Sequence, residues 1–444
     1  MRLRWAGWWD DLRDSLWLIP ALGVVIAAAL AGVLSNLEPL PDAVPEVFVF
    51  GGTPDGARAV LTSLAGATIT VVGLVFSLTV IALQMAASQF TPRLLRTFLR
   101  DRRVQVVLSG MIASAVYAVG VLRTVRSEGT GVEPFVPRLA VNVALLFSFA
   151  AVGLLVFYLH HVTRRLRVDV VMTEIVTLSV AQLTSVDGAR ARLPDVQAPG
   201  PPAGAVPVPS RRGGYLQLVD IEGLAREARR RGIRVRVRPA LGTWVTAGTT
   251  LAWVWSDGEG PGDREALAGL VHRWLHLGMD RTESTDLAFG LRQLQDVATR
   301  ALSPGLNDTS TAVLALGQMS AVMCSYAAHP LGDDVVEDDD GHLRASVSRP
   351  GFAALLELVV GPPRRYGASD PEVLAALLTL LIDLAEQVAD AGDRAAAVRA
   401  QVERVLATAA LPDAEDRARI EHLGSLVRAT LDHGTRPPSV TSAS

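Results

Sequence analysis

Lysine is missing from this chain: all 42 of its basic residues are arginine. That absence removes Schiff-base chemistry, a Walker-type lysine, and lipoyl or biotinyl attachment. It is also the mark of a GC-rich bacterial genome. Cysteine is nearly absent. Cys324 stands alone, which rules out an internal disulfide framework and a thiolate cluster for zinc, and it reads as a small buried hydrophobe. Net charge is close to balance at -3, so nothing points to nucleic acid as a partner. The eight histidines are scattered, and no Ser/His/Asp, metal or phosphate-binding constellation forms around them. Neither a cofactor, a metal site nor a catalytic residue is therefore expected, and the chain does not read as an enzyme.

What the chain has in quantity is apolar surface. Half of its 444 residues are hydrophobic and the mean hydropathy is +0.31, yet 20% are charged. A membrane part and a soluble part must coexist. Four runs of about 19 residues or longer are expected to span a bilayer, at about 16–34, 60–87, 104–122 and 139–159. A Trp-rich stretch with Trp5, Trp8 and Trp9 precedes the first and suits an interfacial lead-in. No ionisable residue lies in the middle of a span, which disfavours a proton-driven carrier. The polar groups that remain, Gln84, Tyr117 and Asn142, read as interhelical hydrogen-bond partners. His160 and His161 close the fourth span. On a helix they point about 100 degrees apart, so they read as interfacial residues and not as a shared metal site.

The second span carries the most specific pattern. Ser63, Thr70, Ser77 and Gln84 recur every seven residues, with Gly66 and Gly73 between them. Seven residues are close to two helical turns, so these six positions share one face. Such a face should not look at lipid; it either packs against another helix or lines a water-filled path. Arg93, Arg96, Arg100, Arg102 and Arg103 follow at once, and Arg164, Arg165 and Arg167 follow the fourth span. These clusters place both regions and both termini in the cytoplasm of a bacterial inner membrane, and the first would form a cytosolic mouth that favours anions.

Residues 1–165 thus form a transmembrane domain, and 166–193 a helical extension of the fourth span. A Pro-rich linker covers 194–212, and a small β-rich module covers 213–258. Gly242, Val245, Gly248 and Leu251 in that module repeat the turn spacing of biotinyl-carrier-like barrels, without the lysine that such a carrier modifies. Residues 264–432 read as a cytosolic helical domain, followed by a disordered tail at 433–444. In it, Ser284 or Thr285 can cap a helix whose polar side carries Arg292, Asp296 and Arg300. A turn follows through Ser303, Pro304, Gly305, Asn307 and Asp308, which either caps the helix after it or offers helix N–H groups to a ligand or interface. The acidic stretch from Asp333 to Asp340 lacks the spacing of a calcium loop and reads as solvated. Asp370 and Pro371 start a helix too short to span a membrane.

Two segments carry a resemblance. The run Gln89-Phe90-Thr91-Pro92-Arg93 with Phe98-Leu99-Arg100-Asp101, and the run Gly290-Leu291-Arg292-Gln293-Leu294 through Ala301-Leu302-Ser303-Pro304-Gly305-Leu306-Asn307-Asp308, resemble a bacterial family of predicted membrane proteins known as domain of unknown function 2254. Thr309 departs from the proline expected after the Asn-Asp pair. The resemblance covers nearly the whole chain and supports its architecture; it carries no activity. The fold class expected is a mainly α membrane protein, a four-helix transmembrane bundle plus a cytosolic α+β domain. The partners expected are the lipid bilayer, further copies in a homo-oligomer, and a small anion or cytosolic ligand.

Overall fold

The computed structural model describes residues 18–37, 50–89, 101–127, 133–165, 167–190, 198–256, 262–281 and 286–434. The Trp-rich lead-in, Arg93, Arg96, Arg100, Ser284, Thr285 and the tail beyond 434 lie outside them. The chain forms two compact units, Met1–Val170 and Val171–Ser444.

The first unit holds the four spans: α1 (Leu18–Ser35), α2 (Pro54–Gln89), α3 (Arg102–Leu122) and α4 (Arg138–Arg165). All four match the expected runs; α2, α3 and α4 begin a few residues earlier than expected, and α1 is described from Leu18. The third is the centre. Half of the α3 span is buried, against 22%, 17% and 22% for α1, α2 and α4, so the other spans pack around it. Small residues let the backbones approach: a Cβ on Gly120 would come within 2.8 Å of the Ala31 side chain. Tyr117 is fully buried among Ala57, Leu61 and Ala144, and its hydroxyl donates to the Ala140 carbonyl at 3.2 Å. Ser109 Oγ donates to the Ile19 carbonyl at 3.0 Å, joining α3 to α1. Tyr117 and Ser109 thus tie α3 to its neighbours, as expected for Tyr117, whereas Gln84 is exposed and Thr68 and Thr70 donate within their own helix.

Residue Arg165 ends α4, and a new helix, α5 (Val168–Arg190), begins at the end of the first unit and lies mostly in the second. The fourth span therefore does not run on as one helix. Next come β1 (Val206–Pro209), β2 (Gly214–Val219), α6 (Ile221–Arg230), β3 (Ile233–Val237), β4 (Trp244–Val245), β5 (Thr250–Ser256), α7 (Arg264–Trp274) and β6 (Leu275–Gly278). The stretch read as linker contributes an edge strand, where Pro207 and Pro209 need no ladder partner on the outer side. In β3 the alternation is complete: Ile233, Val235 and Val237 enter the core, while Arg236 reaches the Ala198 and Pro199 carbonyls at 2.7 and 2.6 Å.

The remaining elements are α8 (Ala288–Ala301), α9 (Thr309–Ala327), β7 (Asp334–Glu337), β8 (Leu343–Val347), α10 (Phe352–Tyr366), α11 (Pro371–Val388), α12 (Gly392–Thr408) and α13 (Ala414–His433). Here the sequence expectation fails in one respect. Residues 264–432 are not purely helical, and the β module does not end at 258. The larger sheet has the order β1-β5-β3-β8-β7, with β8 parallel to β3, and the smaller has the order β4-β2-β6. The acidic stretch read as a solvated loop supplies β7 and the turn into β8. The buried helix expected after Asp370 is α11, with Asp370 as its cap and Pro371 in its first turn. Its apolar residues from Val373 to Val388 form the middle of the helical core.

Two glycines set close approaches in this unit. A Cβ on Gly290 would meet the Ser179 hydroxyl of α5, which explains the glycine at the head of the Gly-Leu-Arg-Gln-Leu run. Gly242 has φ 74 and lies over the buried Asp286, whose carboxylate a Cβ would strike. Strain and clash act together there. Gly242→Ala should therefore destabilise the full-length protein by about 1–3 kcal/mol, read as a lower midpoint of thermal unfolding in detergent. A variant that melts like the parent would refute this packing.

Candidate functional site

On α2 the buried positions are Ala57, Leu61, Ala65, Thr68 and Val75, which face the other spans. Ser63, Gly66, Thr70, Gly73, Ser77 and Gln84 lie on the opposite side, and all six are exposed. A Cβ placed on Gly66 or Gly73 would meet nothing within 4 Å. Thr70 Oγ1 donates to the Gly66 carbonyl of its own helix at 2.9 Å. The chain's own described spans leave the polar stripe uncovered. Of the arginines expected at a mouth, Arg102 and Arg103 are exposed on the first turn of α3.

The second candidate is the turn between α8 and α9. The Ser303 carbonyl accepts from the Leu306 and Asn307 amides at 3.0 and 2.9 Å, and the Asp308 amide donates to the Ala301 carbonyl at 2.8 Å. This tight path requires Asn307 at φ 47, the one positive-φ residue other than glycine among the described residues. Pro304, Gly305, Asn307 and Asp308 are exposed and Ser303 is half-buried. Asp308 caps α9 by accepting from the Thr311 amide at 3.0 Å and hydroxyl at 2.6 Å. Those bonds hold its carboxyl below the usual carboxylate range. The cap places a negative charge where an anion would have to sit. Thr309, in place of the expected proline, donates its hydroxyl to Asp370 at 2.5 Å, and Asp370 caps α11. The two helix starts are therefore tied through one side chain. Arg292, Asp296 and Arg300 are half-buried along α8, each engaging a neighbour, so they are less solvated than the spacing implies.

Several arrangements had no clear signal in the sequence. Asp101 and His161, sixty positions apart, meet at 2.6 Å; the only hint was an Asp before a span and a His at the end of another. Tyr158 of α4 and Thr79 of α2 share a hydrogen bond at 2.5 Å. Asp338, Asp340 and His342 bring three potential metal-binding atoms together in the β7–β8 turn. Asp338 is already occupied there. It accepts from the His342 and Asp340 amides and from Arg344 Nε at 2.6 Å, which pushes its carboxyl down to about 2. The bound guanidinium competes with a cation for the same carboxylate.

The geometry defines a polytopic helical membrane protein with a separate α+β unit. Residues 13–383 match the family model described as "Predicted membrane protein (DUF2254)", and the chain belongs to that family. Similar relatives are uncharacterized proteins of Mycobacterium tuberculosis and Mycobacterium bovis, each 37% identical over 424 residues, which is 95% of this chain and 81% of theirs. No solved structure matches.

Removal of the cap gives a direct test of the turn. Asp308→Ala should cost about 1 kcal/mol of stability with assembly unchanged if the turn only caps helices. Because folding lowers the Asp308 pKa, its contribution should be full above about pH 4 and disappear as pH falls through the lowered value. Denaturant titration across that range checks both. Loss of activity or of any assembly in a variant of normal stability would make the turn an interface or ligand site.

Proposed function

We propose that this chain is a homo-oligomeric, non-enzymatic channel or passive transport protein of the bacterial inner membrane, with its second unit in the cytoplasm sensing a ligand or state. The observation that carries the reading is the exposed stripe on α2. Hydroxyls, an amide and two glycines facing hydrocarbon are unfavourable, and further copies of the chain are the simplest cover for them. Around a symmetry axis, the stripes of several copies would face one another and line a path. The arginine clusters then mark the cytosolic side and favour small anions at the mouth. A non-conducting scaffold or sensor is the second reading. The internal bond of Thr70 favours it, since a hydroxyl satisfied within its own helix needs no water and, beside Gly66, allows close helix packing.

Topology reporters fused after Arg103 and after Arg167 should both register as cytoplasmic and one after Glu133 as external. A cytoplasmic signal at Glu133 would remove the four-span arrangement.

Reconstitution in liposomes separates the two functional readings. In an oligomer shown to be intact, anion flux should exceed cation flux. Cysteines at positions 63, 70, 77 and 84, introduced in a Cys324→Ala background, should react with a membrane-impermeant thiol reagent while one at Leu74 stays inert. Absent flux together with four unreactive positions would rule out the path and leave the scaffold.

A further inference from the structure

The chain crosses from the larger sheet to the smaller between β1 and β2, and a side chain of α7 holds that crossing. His272 lies in the last turn of α7 and is half-buried. Its Nδ1 is 2.7 Å from the Ala268 carbonyl of its own helix, and its Nε2 is 3.1 Å from the Arg211 amide in the β1–β2 turn. These partners fix the chemistry of the ring. A carbonyl only accepts, so Nδ1 carries the proton; a backbone N–H only donates, so Nε2 must offer its lone pair. Only the uncharged imidazole makes both bonds at once.

Protonation turns the second contact from attraction to repulsion. An imidazolium donates from both nitrogens, so Nε2–H would face the N–H of Arg211. It would also add a cation beside Arg211 and Arg212, both exposed on the turn. Burial pushes the imidazole below its ordinary value, the Ala268 carbonyl pulls it back in part, and the charges of Arg211 and Arg212 push it down further. No carboxylate among the described residues offsets those charges. Glu265 of α7 and Glu222 and Glu227 of α6 do not act on the ring, nor do the arginines of either helix or His276 of β6, and β1 has no titratable side chain. Because folding lowers the pKa of His272, its contact contributes fully above the ordinary histidine value and is lost as pH falls through the lowered one.

The rest of the crossing is fastened by other means. The Ser210 amide donates to the Thr249 carbonyl and the Ser210 carbonyl accepts from the Gly248 amide, both at 2.8 Å. Ser210 Oγ donates to the Arg212 carbonyl at 2.8 Å, and the Arg212 guanidinium donates to the Leu277 carbonyl. No imidazole takes part in these bonds, so loss of the His272 contact frees the Arg211 amide and leaves both sheets in place. We propose that His272 is an acid-releasable clip: uncharged, it ties the crossing between the two sheets to α7, and protonated, it lets the segment around Arg211 go. The second unit then responds to protons at one defined point. The clip stands independently of whether the protein conducts.

Hydrogen–deuterium exchange of the full-length protein in detergent tests the clip through peptides that cover Ser210–Gly213, with protection corrected for the intrinsic pH dependence of amide exchange. Between about pH 8 and about pH 5 their protection should fall reversibly by about tenfold, while peptides from β3 and β5 keep theirs. His272→Gln takes up no proton and still offers an oxygen to the Arg211 amide, so its protection should be equal at both ends of the range. A parent whose protection ignores pH, or an equal fall in His272→Gln, overturns the clip. Should His272→Gln fail to fold, Arg211→Gln decides, because its side chain is exposed and its amide is kept. With one cation fewer beside the ring, release should move to higher pH; a midpoint that stays in place overturns the clip.

Discussion

A polar group inside hydrocarbon has to find its partner in protein, because no water is present to supply one. The transmembrane unit follows from that constraint. Its spans are helical, the Ser109 and Tyr117 hydroxyls of its central helix α3 reach carbonyls of α1 and α4, and the Tyr158 hydroxyl joins α4 to α2. The stripe on α2 faces away from the other described spans, and its Thr70 hydroxyl is bonded only within its own helix, so the stripe bears little on the internal packing of the bundle.

In the second unit the corresponding constraint is the satisfaction of helix ends in a dense core. The turn before α9 spends its polar residues on that task. Asp308 serves one helix start, Asp370 serves another, and Thr309 connects them. Three helices, α8, α9 and α11, are positioned by a few side chains. A turn of this kind is sensitive to substitution for structural reasons alone.

The spans were legible in the sequence because length and apolar content suffice to define them, and hydropathy reads both directly. The helix start at Asp370-Pro371 was legible because a cap and a first-turn proline are local signals. The sheet was not. Strand β8 pairs with β3 across the whole helical hairpin of α8 and α9, and a pairing at that separation leaves only a short apolar alternation in the sequence. The face occupied by the α2 stripe was legible from its period, whereas its outward direction depends on which side of α2 packs against α3, and that is set by Ala57, Leu61 and Ala65. The contact of Asp101 with His161 required the relative placement of two helices, which one sequence does not encode in any local pattern.

The parallel pairing of β3 with β8 has a consequence for how the chain is made. Residues 233–237 are synthesised long before their partner at 343–347, so the larger sheet must wait with an unpaired β3 edge while α7, β6, α8, α9 and β7 are synthesised. Non-local pairing of this kind is slow and exposes a strand edge in the meantime. During that wait the preceding spans already hold the chain at the membrane. The exposed edge lasts for as long as the helical hairpin of α8 and α9 takes to be made.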